Sequence, residues 1–76
     1  MKVSFEEVIS AADDSGMLVD ISNIKSSDLL SDAGIDSLEA MNFFLAIEEK
    51  FGINIPEEDI DSLKTIDDII SYMEKF

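Results

Sequence analysis

The chain has no cysteine and no histidine, and these two absences narrow its chemistry more than any residue present. Without cysteine there is no disulfide framework and no thiol nucleophile. Without histidine there is no imidazole base, and without either there is no zinc site of the usual kind. Positive charge is scarce as well: 18 acidic residues face 5 basic ones, a formal net charge of −13. A field of that sign repels nucleic-acid phosphates and anionic lipid surfaces, and it favours basic protein surfaces as partners. No cationic and apolar N-terminal leader is visible, and no apolar run is long enough to cross a bilayer. A free-standing cytoplasmic monomer with no membrane insertion is the expectation.

At 76 residues there is room for one domain, 1–76, and not for a second core beside a catalytic cleft. A core of that size typically supplies only about 3 to 5 kcal/mol, and neither disulfide nor metal is at hand to add to it. The apolar fraction of 46% still argues for a folded chain, because disordered chains of comparable charge are poor in apolar residues. Self-repulsion among the carboxylates lowers stability, so salt or divalent cations should raise the melting temperature by screening it.

Helical periodicity appears in four stretches, each with a start signal. Ser4 with Glu7 three residues later reads as a capping box, followed by an apolar stripe of Phe5, Val8, Ile9 and Ala12 and a stop at Gly16. A second helix begins at Asp36, with Glu39 at the capping spacing, and runs to Phe51 before Gly52. A short third helix opens with Pro56 at its first position and Glu57, Glu58 and Asp59 against the positive end of the dipole. The fourth is capped by Thr65 and Asp68, with Ile66, Ile69, Ile70 and Met73 on one face. Residues 16–35 form a connection of about twenty residues, long for a compact domain. Met17, Leu18, Val19, Ile21, Ile24, Leu29, Leu30 and Ile35 would pin it across the bundle, with a helical turn near 27–31. A strand over 19–21 is conceivable but finds no partner strand. The fold class expected is all-α: a small four-helix bundle with a long loop between helices 1 and 2 and a short third helix.

On a helical wheel the second helix has two apolar faces. Ala40, Phe43, Phe44, Ile47 and Phe51 share one sector, which reads as core. Leu38, Met41 and Leu45 form another stripe bordered by Asn42, Glu48 and Glu49. That stripe either packs under the long loop or is an exposed docking surface, where charge steers an encounter and a small apolar patch holds it. At the start of the same helix stands Ser37, preceded by Gly34, Ile35 and Asp36. Open backbone amides and the dipole there would welcome an anion such as a phosphodiester, although Asp36 opposes it, and a serine at this place is also an ordinary helix-start residue. A hydrolase serine is excluded by the missing base and the missing G-x-S-x-G elbow. The acidic runs do not place Gly and Glu as a calcium loop requires, so no metal site is expected.

The order of parts, with Gly34-Ile35-Asp36-Ser37-Leu38, then Ile47-Glu48-Glu49-Lys50-Phe51-Gly52, then Ile53-Asn54-Ile55-Pro56 and a last amphipathic helix, resembles the acyl carrier proteins over nearly the whole chain. The resemblance implies that Ser37, flanked by Asp36 and Leu38, receives 4′-phosphopantetheine from coenzyme A through a phosphopantetheinyl transferase. Acyl groups would then travel as thioesters on that arm, for fatty acid or related biosynthesis, and the carrier itself would not be an enzyme. It implies docking to basic surfaces of acyl-synthesising or acyl-transferring enzymes through Asp36, Leu38, Glu39, Met41, Leu45, Glu48 and Glu49. It further implies an acyl pocket with Phe43, Phe44, Ile47 and Ile69 as lining candidates, although ordinary core is the stronger reading for any one of them. Asn42, Ala33 and the Phe43-Phe44 pair depart from the common pattern, which leaves a specialised pathway open beside the general one. Carriers of polyketide or aminoacyl units, and an unmodified acidic helical adaptor, are the alternatives.

Overall fold

A computed structural model describes residues 1–16, 21 and 23–76 of the chain. The expected loop anchors Met17, Leu18 and Val19, and with them the conceivable strand over 19–21, lie outside the described residues. Those residues form four helices and no named strand: α1 Phe5–Asp14, α2 Ser37–Phe51, α3 Glu57–Ile60 and α4 Ile66–Met73. The starts of α1 and α4 are set by reciprocal caps. Ser4 accepts from the Glu7 amide while Glu7 accepts from the Ser4 amide, and Thr65 and Asp68 do the same, so orphan donors at each start are satisfied locally. α2 ends on Gly52, whose left-handed φ of 67° is strained for any residue with a Cβ.

α1 packs against both α2 and α4. Between them lie Val8, Ala11 and Ala12 of α1, Phe43, Phe44 and Ile47 of α2, and Ile66, Ile69 and Met73 of α4. Small alanines on α1 let the bulky phenylalanines approach, and the Phe43 and Phe44 rings lie 5.6 Å apart in a stacked arrangement. The long connection contributes Ile21, Leu30 and Ile35 to the same core and Ile24 packs partly against it, as expected of pins, whereas Leu29, also expected as one, is exposed.

Over residues 25–35 the connection is a chain of turns in place of the single helical turn expected near 27–31. The Asp28 amide donates to the Lys25 carbonyl, and further along Gly34 donates to Ser31. Gly34 has φ 89°, which only glycine adopts without strain, and it turns the chain so that Ile35 points into the core and its amide meets the Leu30 carbonyl at 3.1 Å. The loop is tied to the start of α4 by an isolated bridge between Leu29 and Thr65 and by bonds from Leu30 N to Lys64 O (2.9 Å) and Asp67 N to Ser26 O (3.0 Å).

α3 differs from its neighbours in burying none of its own residues. Ile55 and Leu63 on either side anchor it, and two polar bonds add to them: Tyr72 Oη donates to Asp59 Oδ2 at 2.7 Å, and the Ile55 amide donates to Glu48 Oε2 at 2.8 Å. Pro56 is the cap of α3 and not its first helical residue, because its φ of −58° suits a helix while its ψ of 144° is still extended. Burial and the bond to Asp59 push the Tyr72 phenol up to about 12 from its ordinary 10.0, because both disfavour a second negative charge there.

Candidate functional site

Ile35, buried, anchors the chain just before α2, and Asp36 is extended and serves as the N-cap, its Oδ1 accepting from Glu39 N at 2.9 Å. The reciprocal bond expected from the Asp36–Glu39 spacing does not form. A carboxylate at the cap repels a second carboxylate reaching back towards it, whereas the hydroxyl caps Ser4 and Thr65 carry no such charge. One Glu39 oxygen is instead buried without a hydrogen-bond partner among the described residues.

Because Asp36 takes the capping role, the Ser37 hydroxyl is outside the capping bond. Ser37 is the first residue of α2 and is exposed. With the Glu39 amide held by Asp36 and the Ala40 amide by the Asp36 carbonyl, the amides of Ser37 and Leu38 are the donors at the positive end of the helix that find no acceptor among the described residues. The hydroxyl can therefore be reached from outside, and a phosphoryl group placed on it meets unfilled donors and a favourable dipole.

Beside Ser37 opens a cleft of about 600 Å³. Its apolar walls are Leu29, Leu30 and Ile35 from the loop, Ala40, Met41 and Phe44 from α2, and Ile60 and Leu63 from and after α3. Asp36, Glu57, Asp61 and Lys64 bring charge to it. An apolar recess adjoining an accessible hydroxyl fits a group with a phosphoryl root and a long organic arm. Of the four acyl-pocket candidates only Phe44 lines this cleft; Phe43, Ile47 and Ile69 are fully buried in the core between helices. The walls from 29–35 and from α3 escaped sequence reasoning because they depend on where the loop and α3 lie in space. The apolar residues at Leu29, Leu30, Ile60 and Leu63 are the available signal.

The second apolar stripe of α2 does not pack under the loop. Leu38, Met41 and Leu45 are 71%, 54% and 53% exposed. Asp36 and Glu49 are exposed beside them, while Glu39 and Glu48 are half-buried. Glu48, expected as one of the acidic docking residues, also has a structural bond, since it holds the Ile55 amide ahead of α3. No helix is long and apolar enough to cross a membrane among the described residues.

Comparison with known proteins agrees with this geometry. A family described as the phosphopantetheine attachment site matches residues 11–73. The chain is 41% identical over 58 residues to an acyl carrier protein of Bdellovibrio bacteriovorus, covering 75% of this chain and 74% of that protein. It is 39% identical over 57 residues to an acyl carrier protein of Helicobacter hepaticus, covering 74% and 75%. A Schizosaccharomyces pombe relative, 45% identical over 49 residues covering 64% of this chain and 44% of its own, bears a name that combines acyl carrier protein with a mitochondrial designation. The matched stretch takes in every feature of the site, and the chain belongs to the acyl carrier protein family, whose prosthetic group is a covalently attached 4′-phosphopantetheine.

Proposed function

We propose that Ser37 is the attachment residue and that the chain is a carrier, with no catalytic step of its own, delivering acyl groups for fatty acid or a related specialised biosynthesis. The observation that supports this best is the exposed Ser37 hydroxyl at an open helix start beside an apolar cleft. In the loading reaction Ser37 Oγ forms the new phosphoester bond and loses its proton, while the pyrophosphate of coenzyme A breaks and its nucleotide half departs. When bound, the arm supplies the thiol that this cysteine-free chain lacks.

The chain's own residues bind and present. The open amides of Ser37 and Leu38 support the phosphoryl root, and Ile35, Phe44, Ile60 and Leu63 shelter a short acyl chain from water. The stripe Leu38, Met41 and Leu45, with Asp36, Glu39, Glu48 and Glu49 around it, docks against basic surfaces of the transferase and of acyl-handling enzymes. Brief contacts suit a shuttle, and a patch of three apolar side chains in an acidic frame is small enough to release. Cytoplasmic residence, expected from the sequence, belongs to the same proposal and is checked by fractionating the native cell; the mitochondrial designation belongs to the yeast relative.

The test is incubation with a phosphopantetheinyl transferase and coenzyme A, read by mass. Wild type gains one arm, and Ser37→Ala gains none while melting at an unchanged temperature. An unchanged wild-type mass across several transferases overturns the carrier reading and leaves the acidic adaptor.

A further inference from the structure

We propose that the Lys64 ammonium pairs with the phosphodiester at the root of the arm and fastens the arm over the mouth of the cleft, an inference that rests on Ser37 being the attachment residue. Lys64 lines the same cleft as Ser37, and it is the single cation among the lining residues. The other charges there are Asp36, Glu57 and Asp61, with Asp68 bonded to the Lys64 amide just behind. A phosphodiester added to Ser37 therefore enters a field of carboxylates, and among the side chains of the cleft only the Lys64 ammonium offers the opposite charge.

The root of that side chain is held in place. Lys64 O accepts from Leu30 N at 2.9 Å, Lys64 N donates to Asp68 Oδ2 at 3.1 Å, and the next residue, Thr65, pairs with Leu29 and caps α4. A stem rising from a backbone fixed on both sides searches less space than one on a loose turn, so less side-chain entropy is lost when its ammonium is engaged. Among the described residues the ammonium makes no ion pair: the pair found there joins Lys50 to Asp14, and Lys64 is exposed. Its apolar stem can lie along the cleft wall near Leu63 while its head faces the mouth. A clamp of this kind would orient the arm along the cleft.

The experiment uses full-length protein loaded with the arm. Phosphorus NMR of loaded Lys64→Met, which keeps an apolar stem, is expected to show a shifted phosphodiester signal. In loaded Lys2→Met, which removes a lysine outside the cleft, the signal should stay at its wild-type position. A phosphorus signal in Lys64→Met identical to wild type overturns the clamp while leaving the carrier reading intact, since the mass shows the arm in place. A wild type whose mass shows no arm overturns the carrier reading and the clamp together.

Discussion

The two apolar faces of α2 use the same kinds of residue for opposite ends. Phe43, Phe44 and Ile47 are buried against α1 and the rest of the core, whereas Leu38, Met41 and Leu45, on the same helix, are more than half exposed. Hydrophobicity alone does not separate them. What does is their direction: α1 and α4 cover one face, and no described element covers the other. A small chain in which an entire apolar stripe is left open loses the stabilisation that stripe could have given, so the open face is the part of α2 that folding does not explain.

That comparison is broken most severely from the buried side. Phe43→Ala should cost about 3 to 5 kcal/mol in denaturant unfolding, enough to unfold much of the population of so small a domain. A loss under about 1 kcal/mol would show that Phe43 is not the core residue its complete burial indicates.

The next effect is alkaline. Tyr72, on the buried side of α4, has its phenol pushed up to about 12 from 10.0, so the folded form holds the proton more tightly than the unfolded chain. The resulting stabilisation is complete below pH 10 and is lost as pH rises from there towards about 12. Tyr72→Phe should abolish this portion of the alkaline destabilisation and loosen α3, because the bond to Asp59 goes with the hydroxyl. Tyrosinate absorbance against pH, with melts of the two proteins, checks both; a phenol that titrates near 10 in the folded protein contradicts the account.

Glu48 sharpens the boundary between the faces. Glu48→Ala should cost about 1 kcal/mol, since the Ile55 amide loses its acceptor, while Glu49→Ala at an exposed position should change stability little. Equal melting temperatures for the two variants would reduce Glu48 to an ordinary surface carboxylate. The smallest effect on folding belongs to Met41→Ala, within about 0.5 kcal/mol of wild type, with a weaker affinity for a partner enzyme measured by titration. A cost of several kcal/mol would make the second face core.

What could be read from the sequence was local. Ser4 with Glu7, Thr65 with Asp68 and Gly52 after Phe51 mark helix ends through bonds spanning three or four residues, and each is found where the spacing puts it. The alternation of the two α2 faces follows from the helical period, and Ser37 at the start of α2 follows from the Asp36 cap. What escaped depends on distant pairings: Leu29 with Thr65, Glu48 with the Ile55 amide, and the cleft walls that the loop and α3 bring to Ser37. The one-sided cap at Asp36 escaped for another reason, because a spacing rule for capping boxes takes no account of the charge on the capping residue.

The most direct trial of the carrier reading is to locate the modification by fragment mass analysis of wild-type protein after transferase and coenzyme A. The account predicts one phosphopantetheine, on the peptide containing Ser37 and on that oxygen. An arm attached to a different serine would contradict it, as would a Ser37 that stays bare while the transferase loads a known carrier in the same tube.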